Sequence, residues 1–180
     1  HQLNDISRST AAHSTLVIDN TSISNFRRNS LGIKNVERSF RILEKKVISR
    51  KDFWLMEGSH DGYITKYGLI HKRSIKYDIK NCDLFGEDTI TYKKNFRENN
   101  FEIRFHLHPM AKVTKTVDKK IILIDIGVSG WKFSCENFIA DVENGLFFGK
   151  KNSYEENKNI VIFGRTKSKI QKISWKIEKI

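Results

Sequence analysis

Histidine is the residue type in this sequence whose placement could support chemistry. Five of its six histidines fall in strand-like or turn segments, namely His13, His60, His71, His106 and His108. Side chains two apart on a strand share a face about 7 Å apart, so a His-X-His pair could approach one metal ion. Zinc needs three or four ligands, and His106 and His108 supply two. The alternative, which the pattern slightly favours, places this pair on a wet strand face beside Glu102 and Arg104.

A second candidate for chemistry is the turn formed by His60, Asp61, Gly62 and Tyr63. A histidine beside a tyrosine could transfer a proton, but such pairs in turns more often hydrogen-bond the loop itself. The sequence contains no nucleophile elbow, phosphate-binding loop or paired-carboxylate constellation. Spacing alone therefore assembles no complete active site.

Alternation of apolar and polar residues indicates the elements that must position these side chains. In residues 101–108 the apolar side chains point one way and the polar side chains the other, and Pro109 ends the pairing. Similar runs are 12–19, 45–49, 53–57, 69–79, 89–92, 112–116, 120–126, 131–135, 146–148, 160–163 and 173–177. Short alternating runs of this kind predict an all-β fold, an antiparallel β-sandwich of about a dozen strands.

Turn signals separate these runs. Turn-forming pairs or positions are 61–62, 117–118, 129–130, 144–145 and 164–165. Residues 35–43 show a hint of helical spacing but fit an irregular loop or a strand equally well. Because no linker, low-complexity segment or fixed-period repeat divides the chain, we expect a single domain over residues 1–180.

Composition restricts the partners. A formal charge of +12 favours polyanions such as acidic polysaccharide, nucleic acid or an anionic membrane. The lysines are spread along the chain, which favours diffuse surface charge and argues against specific nucleic-acid binding. No apolar run reaches transmembrane length. Cys82 and Cys135 match no metal-binding pattern and are not expected to form a disulfide. We expect the tryptophans to pack in the core rather than to form a sugar-stacking platform; they are Trp54, Trp131 and Trp175.

Several segments together resemble the heparinase II/III-like family. Residues 8–19, RSTAAHSTLVID, closely resemble the RSTAAHNTL-type segment of that family, with Ser14 in place of the more usual Asn. Further segments follow in the family's order: SHDGY at 59–63, GLIHKR at 68–73, FHLHP at 105–109, GWKF at 130–133, SY at 153–154 and IV at 160–161. The resemblance spans nearly the whole chain.

This resemblance implies an architecture and an activity for a longer parent protein. Members of the family join an N-terminal α/α toroid to a C-terminal antiparallel β-sandwich, and they are bacterial lyases that cleave uronic-acid-containing polysaccharides by β-elimination. The chain is expected to be the β-sandwich, with the toroid and the start of the β-domain upstream of His1. Since the family's catalytic residues lie upstream, the parent would be a carbon–oxygen lyase and this chain alone inactive. The alternative is a non-catalytic carbohydrate-binding or interaction module. The resemblance favours a periplasmic or cell-envelope location for the parent.

The resemblance also implies candidate site residues. His13 matches a histidine that helps to hold zinc in the family, and its partner ligands would lie upstream of His1. Zinc is therefore expected in the full-length parent and absent or weakly bound in this chain. The other recurrent motif residues are His60, Tyr63, His71, Arg73, His106 and His108. They either line a cleft that meets an acidic sugar or form a buried polar network, and we favour the network marginally for His71 and Arg73.

Overall fold

The structure of the protein is a computed structural model, which describes residues 2–28, 30, 34–37, 40–149 and 153–180. Its helices are short: α1 (Gln2–Ser7), a 3-10 helix (Thr10–Ala12) and α2 (Ile64–Tyr67). Its strands are β1 (Leu16–Ile18), β2 (Asn25–Arg28), β3 (Lys34–Glu37), β4 (Ile42–Ser49), β5 (Phe53–His60), β6 (Leu69–Asp78), β7 (Asp83–Tyr92), β8 (Asn100–His106), β9 (Lys112–Lys115), β10 (Ile121–Asp125), β11 (Gly130–Cys135), β12 (Ile139–Phe147), β13 (Glu155–Arg165) and β14 (Ile170–Lys179).

Twelve of these strands form the two layers of a sandwich. The smaller sheet has the order β1-β8-β13-β12, and the larger has the order β4-β5-β6-β7-β14-β11-β10-β9. The paired strands are antiparallel throughout. The predicted all-β antiparallel sandwich of about a dozen strands is confirmed. Strands β2 and β3 form a separate hairpin.

Alternation along β8 creates the inner face of the smaller sheet, as the sequence predicts. Phe101, Ile103 and Phe105 are buried, while the residues between them are partly exposed. The Phe105 ring centroid lies 4.7 Å from that of Trp175 and 5.0 Å from that of Phe133, both on the larger sheet. Burying each such ring stabilises the fold by roughly 2–3 kcal/mol, so these contacts hold the two sheets together.

Two predicted turns are wrong, because both pairs lie within strands. Asn144 and Gly145 belong to β12, where Gly145 pairs with Asn157 of β13. Residues 164–165 likewise continue β13 and pair with β8. A side chain at position 145 would meet the amide of Asn159 at 2.2 Å, so glycine here allows a close approach across the sheet instead of making a turn.

The remaining sequence interpretations are partly confirmed. The run predicted over 12–19 is a strand only from Leu16, and the 3-10 helix precedes it. Within 35–43, β3 ends at Glu37 and β4 begins at Ile42, whereas residues 38 and 39 lie outside the described residues. Trp175 is buried in the core and Trp131 packs against it. Trp54, in contrast, is half-buried outside the core, against Tyr77.

Two further features bear on the expectations from composition. Cys82 and Cys135 are both free thiols. Among the described residues, no helix is both long enough and apolar enough to span a bilayer.

Candidate functional site

Residues 8–15, which we call the N-terminal strap, carry the first family-like motif and contact the end of β8. The Ala11 carbonyl lies 3.0 Å from Nε2 of His106, and the His106 amide donates to Ser14 Oγ at 3.0 Å. Arg73 of β6 donates from Nη1 to the Ser14 carbonyl. The strap is thereby tied to both sheets, because His106 and Arg73 belong to different ones.

A buried threonine fixes the other side of the strap. Thr10 is 5% exposed, and its amide donates a hydrogen bond to the hydroxyl oxygen of Ser22 at 3.1 Å. Its own hydroxyl oxygen accepts a hydrogen bond from the Ile23 amide at 2.9 Å. Hydrogen bonds therefore hold the segment that carries the motif in a defined position.

His13, the predicted zinc ligand, is exposed on this strap. Its amide donates to the Thr10 carbonyl at 3.1 Å and closes the 3-10 helix. Burial, together with the charges of Arg104 and His13, lowers the pKa of His106, and the Ala11 carbonyl partly opposes this shift. Within the described part of the chain, no three His, Cys, Asp or Glu side chains converge as a metal site. The residues present therefore do not complete a zinc site by themselves.

The most strongly buried polar group of the neighbouring region is Asp88 of β7, which is fully inaccessible to solvent. It accepts hydrogen bonds from His71 Nε2 at 2.6 Å, Arg73 Nε at 2.8 Å, Arg73 Nη2 at 3.0 Å and Trp175 Nε1 at 2.9 Å. Four donors on one buried carboxylate compensate for the loss of its water. Arg73 also donates to the strap, so Asp88 fixes the cation that holds Ser14.

A chain of hydrogen bonds extends from Asp88 to the turn after β5 and defines the tautomer of each histidine. The Gly62 amide donates to His60 Nδ1 at 3.1 Å, which leaves the His60 proton on Nε2. That proton points to His71 Nδ1 at 3.2 Å, and so the His71 proton lies on Nε2 and is donated to Asp88. Both imidazoles are consequently neutral in this arrangement.

Electrostatics agree with this assignment. Burial, reinforced by the neighbouring His71, lowers the pKa of His60 to about 4. Burial opposes ionisation of Asp88, but the Arg73 guanidinium and the hydrogen bond from His71 lower the pKa of Asp88 to about 2. At neutral pH the Asp88 carboxylate is therefore an anion paired with the Arg73 cation, and the His60 ring is neutral.

The structure separates Tyr63 and His108 from the strap. Tyr63 is buried, its hydroxyl donates to the Leu16 carbonyl at 2.9 Å, and burial raises its pKa. Its ring centroid is 6.1 Å from that of His60. His108 is exposed and packs on Phe147, with 5.4 Å between the ring centroids. The His-X-His pair therefore contacts different surroundings through its two rings.

A comparison with protein families decides the identity of the domain. The sequence profile described as Heparinase II/III-like, C-terminal, matches residues 1–176. This chain belongs to the heparinase II/III-like family.

One sequence relative and two solved structures illustrate what this domain is similar to. FtsZ-localized protein C of Caulobacter vibrioides is 31% identical to this heparinase II/III-like domain over 146 residues, covering 75% of the chain and 25% of that protein. The heparan sulfate lyase HepC of Pedobacter heparinus has a TM-score of 0.76 at 15% identity, over 99% of the chain and 25% of that structure. A structure of heparinase III has a TM-score of 0.71 at 15% identity, with the same coverage. The chain spans about a quarter of the length of each of these proteins.

One member of the network in this heparinase II/III-like domain was not singled out by sequence reasoning. Asp88 lies one residue before the run predicted at 89–92, and its alternation with Ile90 and Tyr92 places it on the buried face. An acidic residue in phase with buried apolar neighbours requires cationic or donor partners. The alternation of Asp88 with buried apolar residues was therefore the sequence signal that could have identified it.

The domain also exposes part of the inner face of its larger sheet. Register places Val47, Trp54, Met56 and Tyr77 on the same face as His71. Val47 is 63% and Met56 47% exposed, although both lie on the face that elsewhere forms the core. We call these four residues the uncovered face. It is adjacent in register to Arg73, which contacts the strap.

Proposed function

We propose that this domain is the C-terminal part of a bacterial lyase that cleaves uronic-acid-containing polysaccharides by β-elimination. The observation that carries the proposal is the family match over residues 1–176. The similarity in fold to the heparan sulfate lyase HepC over 99% of the chain supports it. Because the chain covers about a quarter of such proteins, we assign catalysis to the rest of the longer protein.

The proposed reaction defines what the domain has to contribute. A base removes the proton beside the uronate carboxylate, the bond from C4 to the leaving oxygen breaks, an acid protonates that oxygen, and a C4–C5 double bond forms. Arg73 and Asp88 already form an ion pair, and His60 and His71 are hydrogen-bonded to each other. These groups act here as positioning residues, since Asp88 fixes Arg73, and Arg73 holds the strap that carries the exposed His13.

The uncovered face is the proposed contact with the catalytic part of the longer protein. Exposed Val47 and Met56, beside the half-buried rings of Trp54 and Tyr77, form an apolar surface that burial would stabilise. The strap borders this surface through Arg73. A domain seated there would lie beside the strap that carries His13.

We further propose that His13 contributes one ligand to a zinc ion, with the remaining ligands supplied by the longer protein. Its exposure on a fixed strap leaves the imidazole accessible. When bound, zinc would hold the strap to the preceding part of the chain. We expect His13→Ala to remove most of the zinc measured by elemental analysis of the longer protein. His108→Ala, which changes another exposed histidine, should leave the zinc content unchanged.

An elimination assay tests the lyase proposal. The longer protein is mixed with a panel of uronate-containing polymers, and the ultraviolet absorbance of the unsaturated product is followed. We expect a sustained rise with at least one acidic polymer and none with the 180-residue chain alone. No rise with any polymer, for a folded and zinc-loaded protein, would contradict the proposal.

The second candidate is a non-catalytic carbohydrate-binding or interaction module. It is favoured by the similarity to FtsZ-localized protein C, whose 31% identity exceeds the 15% of HepC and whose name states a location and no lyase activity. Retention of acidic polysaccharide without any unsaturated product would support this candidate over the lyase.

A further inference from the structure

We propose that a basic groove between the end of α2 and the loop joining β7 to β8 binds the anionic groups of an acidic glycan. The groove has a volume of about 720 Å³, and its cationic side chains are Lys66, Lys94 and Arg97. This size suits a short oligosaccharide segment. The inference rests on the proposed function in its choice of an acidic glycan as the ligand, but it requires no catalysis.

The cations of this groove are available to a ligand. Lys94 and Arg97 are exposed and make no ion pair with any described residue. Lys66 donates from Nζ to the neutral hydroxyl of Thr21 at 2.8 Å. Several cations of the larger sheet, in contrast, form ion pairs, as Lys72 does with Glu44 and Lys172 with Glu87. A sulfate or carboxylate group would therefore find uncompensated donors in the groove.

The carboxylate among the lining residues is that of Asp19, and it is already occupied. Its Oδ2 accepts a hydrogen bond from the Asn99 amide at 2.8 Å, and its Oδ1 accepts from the Asn100 backbone at 2.9 Å and side chain at 3.1 Å. These bonds tie Asp19 to the start of β8 and do not involve the three cations. The balance of charge in the groove is thus positive.

The loop that carries two of the cations is held in place before any ligand binds. The amides of Lys93 and Lys94 lie 2.8 and 3.4 Å from the Gly68 carbonyl. Gly68 ends α2 in the left-handed region with φ of 68°, which glycine adopts without strain. Phe96 packs edge-on against Tyr92, with 5.1 Å between the ring centroids. Such preorganisation reduces the entropy cost of binding.

The aromatic content of the groove favours a glycan over a single-stranded nucleic acid. The ring of Tyr67 is approached on its face by Lys66 Nζ, 5.1 Å from the centroid, and packs on Tyr63 at 6.1 Å. Lys66 already occupies one face of this ring, which disfavours base stacking there, and stacking supplies much of single-strand affinity. Thr65 and Asn95 instead provide hydroxyl and amide groups suited to sugar hydroxyls.

The test measures binding of a heparin hexasaccharide to the chain by isothermal titration calorimetry at about 0.15 M salt, where diffuse charge is largely screened. We expect Lys94→Ala with Arg97→Ala to weaken binding by at least about tenfold, because two charge-assisted contacts are lost. The control is Lys51→Ala with Lys80→Ala. These two lysines are exposed, unpaired among the described residues and located on neighbouring hairpin turns. Their substitution removes the same charge as the groove variant and should change affinity less than about threefold.

A second measurement does not depend on any variant. On titration of the unmodified chain with the hexasaccharide, amide chemical shifts should change most at Gly68 and residues 94–97. Equal losses for the two double variants, or shifts spread evenly over the lysines, would overturn the proposal in favour of diffuse charge. Tighter binding of a single-stranded oligonucleotide of equal charge, weakened by the same groove variant, would assign the groove to nucleic acid. Since turnover is not measured, a longer protein without lyase activity would refute the proposed function and leave this result intact.

Discussion

At the scale of single residues, the stability of the region beside the strap depends on one buried carboxylate. Asp88 receives donors from His71, Arg73 and Trp175, while Arg73 has only 17% of its side chain exposed. Removing the negative charge would leave a largely buried guanidinium without its counter-ion. Leaving a buried charge without its counter-ion costs more free energy than the ion pair itself contributes to stability.

We therefore predict that Asp88→Asn lowers the free energy of unfolding by about 3 kcal/mol or more. The asparagine has the same size but cannot neutralise Arg73, and one of its polar atoms is a donor that faces donors. Urea unfolding of the chain followed by circular dichroism measures the change. Asp52→Asn, at an exposed carboxylate in the turn before β5, should alter stability by less than about 0.5 kcal/mol. Similar values for the two variants would show that the network is not stabilising in this way.

His60 makes the stability of the fold depend on pH. Burial and His71 lower the pKa of His60 from its ordinary value of 6.5 to about 4, so the unfolded chain takes up a proton before the folded chain does. Its contribution is fully present above pH 6.5 and is lost as the pH falls from 6.5 towards 4. The loss is at most about 3 kcal/mol, and partial solvent exposure reduces it.

The expected result is that His60→Gln flattens the dependence of unfolding free energy on pH between 6.5 and 4. Chemical unfolding of both proteins across this range measures the difference between the two slopes, which removes the contribution of the carboxylates. His108→Gln changes an exposed ring and should leave the slope as it is. A slope that persists in His60→Gln would assign the titration to another group.

At the scale of elements, the strands were the predictable part, because alternation depends only on local sequence. The alternation at β8 predicts the correct buried face, whereas the pairs at 144–145 and 164–165, predicted as turns, lie within strands. An asparagine followed by glycine occurs in turns, and it also occurs in strands where a neighbouring side chain approaches the backbone closely. The local sequence does not distinguish the two cases. The partner of Gly145 lies on β13, and sequence alone does not show it.

Gly145 gives a prediction at this scale. We expect Gly145→Ala to lower the unfolding free energy by roughly 1–3 kcal/mol, because the new Cβ would lie 2.2 Å from Asn159 Nδ2 and 2.7 Å from Asn157 Oδ1. Both asparagines are buried and have little room to move. Thermal unfolding measures the loss. Gly58→Ala is the matched control within a strand, since its Cβ would meet nothing closer than 3.9 Å and should be nearly neutral.

At the scale of the whole molecule, the described residues place eight strands against four, and the excess leaves the uncovered face at the β4–β5 end of the larger sheet. Sequence patterning did not distinguish it from the core, since Trp54 and Met56 alternate as core residues do. The same limit applied to the candidate site. Motifs identified its histidines, but the joining of His60, His71 and Arg73 through Asp88 depends on the register between the neighbouring strands β5, β6 and β7, which alternation alone does not set.

If the uncovered face contacts the rest of a longer protein, Val47→Lys with Met56→Lys should lower the melting temperature of that longer protein by several degrees, as expected for a loss of about 1–2 kcal/mol. The same substitutions should leave the melting temperature of the 180-residue chain nearly unchanged, because both side chains are already exposed there. Val117→Lys with Val128→Lys alters two fully exposed valines in turns and provides the control in both proteins. Equal effects of the two pairs in the longer protein, or no effect of the first pair, would mean that the catalytic part does not sit on this face.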